Sequence, residues 1–128
     1  MIISTALFIF LLPYCIDANP DSFLTVWKPS NTDGSSSAAQ ELTLPVSATG
    51  TYNCSLDWGD GSPLEYITDG SSPVSHTYSS STTYYTINIT GTFTDWTFLG
   101  GVDCVKLTEI AQWGSIGLST GGQIFMGM

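Results

Sequence analysis

His76 is the single histidine in a chain of 128 residues. Asp57, Asp60 and the run Ser79-Ser80-Ser81 are the nominal partners it would need for hydrolytic chemistry. A hydrolase requires a nucleophile, a base and a group that orients the base. These residue types are present, but no nucleophile-elbow pattern surrounds any of the serines. No catalysis is expected. One histidine and two cysteines of a mature chain cannot close a four-ligand zinc site. Calcium is the stronger rival, because Asp57, Asp60, Glu65 and Asp69 are expected to crowd one end of the fold and hard carboxylate oxygens suit that ion. Their spacing matches no EF-hand, and loop carboxylates of this kind are usually just solvated. The expectation is no metal site and no cofactor.

The cysteines offer covalent chemistry instead. Cys15 lies in a leader-like segment, which leaves Cys54 and Cys104. An even pair in an oxidising compartment suggests a disulfide. Closing a loop of about 50 residues would stabilise the fold by roughly 4 kcal/mol on the chain-entropy argument. The alternative is two separate buried thiols acting as small hydrophobes. Asn53-Cys54-Ser55 and Asn88-Ile89-Thr90 are glycosylation acceptor triplets, making Asn53 and Asn88 the candidate attachment points.

The surrounding composition narrows the setting. Lys+Arg number 2 against 11 Asp+Glu, for a net charge of -9. A nucleic-acid binder must neutralise phosphates, so that class is excluded, as is a basic patch for anionic lipid. Charged residues are only 10% of the chain, and Ser, Thr, Gly and Asn do the solvating. That is the composition of an extracellular β protein rather than of a charge-rich disordered tail.

Ile2 to Leu12 form an apolar run followed by Pro13. It falls short of the roughly 20 apolar residues that cross a bilayer. Ile16-Asp17-Ala18 supplies a small residue for cleavage, so residues 1–18 read as a secretory signal peptide cut after Ala18. An uncleaved helix at the membrane is the alternative. The mature product is expected to be secreted or at the cell surface, with no stable membrane insertion. About 110 residues remain, enough for one sandwich-sized core.

Strand-like runs and turn clusters alternate along that remainder at the spacing of an all-β sandwich. Phe23 to Trp27 is the first run, and residues 31–39 form a polar loop. Leu42, Leu44 and Val46 share a face, with Pro45 marking an edge strand. Tyr52, Cys54, Leu56 and Trp58 lie on one face of the next run, with Asn53, Ser55 and Asp57 on the other. Gly59-Asp60-Gly61-Ser62 ends that strand in a tight turn. Tyr85, Ile87, Ile89 and Phe93 oppose Thr86, Asn88 and Thr90, and Trp96 and Phe98 extend the signal. Leu107, Ile110 and Trp113 recur at three-residue spacing, which predicts a short helix or irregular turn over Val105 to Gly114. Trp27, Trp96 and Trp113 are either core residues or surface aromatics.

Leu56-Asp57-Trp58-Gly59-Asp60-Gly61-Ser62, then His76-Thr77-Tyr78, then Tyr85-Thr86-Ile87-Asn88-Ile89, resembles the PKD repeat. The match covers Tyr52 to Ile89. It implies an immunoglobulin-like β-sandwich in which Asp57, Trp58, Gly59, Asp60, Gly61, His76 and Tyr78 form a structural motif. Tyr78 falls where a tyrosine-corner residue would place its ring inside and its hydroxyl on upstream backbone. Leu107 to Gly114 and Gly121 to Gly127 are similar to the segment that opens BspA-type leucine-rich surface proteins, where an F-x-x-x-W-K strand like Phe23 to Lys28 begins the preceding domain. The family usually carries Cys where this chain has Met128. The resemblance divides the chain into a PKD-like domain over 19–102 and a truncated repeat-like segment over 103–128. It implies a non-catalytic adhesion or interaction module whose partner is an extracellular protein or glycan. A structural spacer, or an accessory domain of a larger secreted protein or hydrolase, is the alternative.

Overall fold

The computed structural model describes residues 19–97 and 102–118. The expected signal peptide, Phe98 and the Gly121 to Gly127 segment lie outside the described residues. The chain is all-β. Its strands are β1 (Phe23–Trp27), β2 (Glu41–Leu44), β3 (Tyr52–Asp57), β4 (Glu65–Ile67), β5 (Val74–Thr77), β6 (Tyr85–Trp96), β7 (Leu107–Gln112) and β8 (Gly117–Leu118). The larger sheet runs β4-β3-β6-β1-β7 with antiparallel neighbours, and β8 adds to β6 in parallel. The smaller sheet is the antiparallel pair β2-β5.

The period-2 reading of the central strands matches the burial. Tyr52, Cys54 and Leu56 of β3 are buried, as are Tyr85, Ile87, Ile89 and Phe93 of β6. They join Phe23 and Trp27 from β1 and Leu42, Leu44 and Val74 from the smaller sheet in one core. Both sheets therefore turn one apolar face onto a shared interior, which is what alternation demands of a half-wetted strand. Three strands escaped the sequence reading: β4, β5 and β8 have three, four and two residues, and none of them alternates apolar with polar along its length.

At two places the alternation slips by one residue. In β6, Phe93 and Trp96 are both buried although they sit three apart. Asp95 between them has φ 65°, and this left-handed residue turns Trp96 back to the core. In β7 the pairing with β1 skips twice, matching Trp27, Val26, Thr25 and Leu24 to Leu107, Glu109, Ile110 and Gln112. Each skip leaves an extra residue in β7, as a bulge does. Leu107 and Ile110 consequently pack on the core at three-residue spacing while remaining in a strand. The helix or irregular turn expected over Val105 to Gly114 is thus a strand, preceded by a single 3-10 turn at Cys104–Lys106. A bulged strand imitates helical period.

The expected Cys54–Cys104 disulfide is not formed. Cys54 lies in β3, whereas Cys104 leads into β7, three strand positions away across β6 and β1. β6 and β1 lie between the two strands, so the thiols are not placed as a bridging pair. Cys54 is an interior thiol instead, and burial pushes its pKa up to about 11.

The open edge of β2 has an unusual cover. Asp103 and Lys106 form an ion pair at 3.2 Å with both side chains fully buried. Asp103 accepts from the Thr43 N–H at 2.7 Å, and Lys106 donates to the Glu41 carbonyl at 2.6 Å. These backbone groups point away from β5, so the pair satisfies an edge that would otherwise be open to another strand. Lys106 also donates to the carbonyls of Ser37 and Ala38 and to the Ser37 hydroxyl.

Candidate functional site

The chemistry-bearing residues of the sequence converge where β3 ends. Asp57 closes the strand, and its carboxylate accepts the Gly59 N–H at 2.9 Å. Gly59 has φ 78°, and a Cβ there would run into the Thr86 carbonyl of β6. Only glycine fits that conformation and that approach together. Gly61, at φ 85°, completes the turn in open space. Asp60 between them accepts the Ser62 N–H at 3.0 Å and the Ser62 hydroxyl at 2.6 Å.

The second oxygen of Asp60 meets His76 Nε2 at 2.7 Å. His76 belongs to β5, so this contact runs from the larger sheet's turn to the smaller sheet. The imidazole lies flat on the Trp58 indole, centroids 4.8 Å apart and planes 14° apart, and meets the Tyr78 ring edge-on at 4.7 Å. Trp58 and Tyr78 are buried. The Tyr78 hydroxyl donates to the Trp58 carbonyl at 3.0 Å, and the Trp58 indole N–H donates to Glu65 Oε2 at 3.0 Å. Tyr85 stacks on the far side of Tyr78 at 3.9 Å.

The electrostatics follow from these contacts. Partial burial would raise the Asp60 pKa, but the hydrogen bonds from Ser62 and His76 outweigh it and hold the carboxyl at about 2. Burial, with the Asp60 carboxylate nearby, pushes the Tyr78 phenol well above its ordinary value. Neither shift favours proton transfer near neutrality: Asp60 stays ionised and Tyr78 stays protonated. Among the described residues, no serine, threonine or cysteine hydrogen-bonds to His76. Ser80 bonds Thr82 and Thr83 instead.

Asp57, Trp58, Gly59, Asp60, Gly61, His76 and Tyr78 therefore form one cluster, and Glu65 and Tyr85 complete it. Asp69 is not part of it. Its turn packs through Gly70 against Ser47 and Tyr52, and Tyr52 pairs with Phe93 at the opposite end of β3 from Asp57. A six-residue strand separates the two ends by about 17 Å. The four carboxylates considered for calcium thus do not share an end of the molecule. Among the described residues no group of three or more His, Cys, Asp or Glu is placed to hold a metal ion.

The remaining sites are scattered. Asn53 is exposed on the outer face of β3. Asn88 is half-buried in the middle of the same sheet face, between Leu24 and Asp57, and accepts the Thr90 hydroxyl at 3.3 Å. Of the three tryptophans in question, Trp27 and Trp96 are fully buried and Trp113 is 46% exposed. Asp103 and Lys106 were not legible as a pair, though Lys106 is one of only two cations in the chain. Among the described residues no helix is long and apolar enough to cross a membrane. Comparison with family models, with curated proteins and with solved structures finds no match for this chain.

Proposed function

We propose that this chain is a non-catalytic interaction module, secreted or displayed at the cell surface, of the PKD-like, immunoglobulin-like sandwich kind and followed by the start of a BspA-type repeat region. It binds an extracellular protein or glycan. The single observation that carries this reading is the occupancy of the residues that could do chemistry. His76, Asp57, Asp60 and Tyr78 each hold a partner inside the fold, and no nucleophile hydrogen-bonds to the imidazole. A base that reaches no nucleophile has no proton to take. The same contacts suit a clasp between two sheets. The acidic, cation-poor surface supports a partner that is neither nucleic acid nor anionic lipid.

An array of glycans and extracellular proteins probed with the chain tests the reading. The expected result is saturable binding of at least one class, unchanged by His76→Ala in a variant shown to be folded. Turnover of an ester, peptide or glycoside that disappears with His76→Ala would overturn it.

A further inference from the structure

The aspartates of this chain are largely engaged by their own neighbours. Asp33, Asp57, Asp60 and Asp69 each accept a backbone N–H two residues on, Asp95 accepts from Thr49, and Asp103 accepts from Ser37 and Thr43. Asp21 differs. Its N–H donates to the Asn19 side chain and its carbonyl accepts from Ser115, but its carboxylate accepts no hydrogen bond among the described residues. It faces a cleft of about 700 Å³ at one corner of the larger sheet, walled also by Asn19, Asn53, Thr92 and Ser115.

Asn53 and Thr92 stand opposite each other on β3 and β6. Neither the Asn53 amide nor the Thr92 hydroxyl has a partner among the described residues. Gly91, at φ 118°, brings the β6 backbone so close to β3 that a Cβ would sit 2.5 Å from the Asn53 carbonyl. The cleft thus gathers an unpaired carboxylate and an unpaired hydroxyl beside the Asn53 side chain. Neither lysine is near: Lys106 is buried under β2, and Lys28 lies over the Tyr84 ring. A neutral ligand rich in hydroxyls would find acceptors and donors together.

One wall of the cleft is itself an attachment point, because Asn53 opens the triplet Asn53-Cys54-Ser55. We infer that this cleft seats a neutral saccharide, and that its occupant is the N-acetylglucosamine stem attached to Asn53. A tethered sugar is held at high effective concentration, so a few hydrogen bonds suffice to seat it. Asn88 lacks this setting, being half-buried at mid-sheet with its carbonyl oxygen already bonded to Thr90. The inference rests on the export reading above.

The full chain is expressed in a glycosylating eukaryotic cell, and its peptides are analysed by mass spectrometry. Separately, unglycosylated chain made in bacteria is titrated with N,N′-diacetylchitobiose while the amide resonances of Asp21, Asn53 and Thr92 are followed. The expected result is hexosamine on Asn53, with Asp21→Ala lowering the melting temperature of the glycosylated chain more than that of Asn53→Gln. Asp21 is exposed and its carboxylate unpartnered, so this variant should fold. A secreted chain with bare Asn53, whose bacterial form binds chitobiose in an Asp21-dependent way, overturns the tethered source and supports a free or partner-borne sugar. A bare Asn53 with no shift of those resonances overturns the inference, even if the chain is secreted. A chain retained in the cytosol contradicts the export reading, and the titration then decides the cleft alone.

Discussion

Tyr78 shows how a single side chain can serve two layers at once. Its ring is buried between His76 and Tyr85, and its hydroxyl is bonded to the Trp58 carbonyl. Tyr78→Phe keeps the ring and leaves that carbonyl without its partner, so it should cost about 1–3 kcal/mol in urea unfolding. Asp60 sets an acid limit. A carboxyl held low by the fold stabilises it above the unfolded value of 3.8, and that contribution is lost as pH falls through about 2. Asp33, held low by the Ser35 N–H, and Asp69, held low by the Ser71 hydroxyl, act in the same direction. Stability measured by thermal melting should therefore decline between roughly pH 4 and pH 2, and Asp60→Asn should flatten part of the decline. The motif residues were legible in the sequence because glycine turns and aromatic spacing are local signals. Glu65 was not, since its bond to the Trp58 indole depends on how β4 folds back on β3.

Among the elements, β3 and the first half of β6 were legible because unbroken alternation leaves a strand one way to face a core. β7 was not. Its bulges against β1 moved Leu107 and Ile110 onto one face and produced a helical spacing in an extended chain. The edge of β2 was illegible for a different reason. Its N–H and carbonyl groups are satisfied by Asp103 and Lys106, some sixty residues away, and no local pattern announces such a contact. Removing one member of a buried pair leaves the other charged and unpaired. Lys106→Ala should therefore cost about 3–5 kcal/mol in denaturant unfolding. The double variant Asp103→Asn with Lys106→Met should lose less than the two single variants together.

At the scale of the molecule, the smaller sheet is fastened to the larger one along both of its strands. On the β2 side the fastening is the buried Asp103–Lys106 pair. On the β5 side it is the corner of Asp60, His76, Trp58 and Tyr78. The all-β character was readable from composition and period, whereas the pairing order β4-β3-β6-β1-β7 was not. That order sets Cys54 and Cys104 on strands that are not neighbours, and the course of β3 sets the Asp69 turn at the opposite end from Asp57. The corner of Asp60, His76, Trp58 and Tyr78 is a clasp between the sheets. A double-mutant cycle in equilibrium urea unfolding, with Asp60→Asn, His76→Gln and both together, tests it most directly. A clasp predicts that each single variant lowers the midpoint and that the double variant falls short of their sum, because the two side chains lose one shared contact. Midpoints that do not move, or losses that simply add, would contradict it.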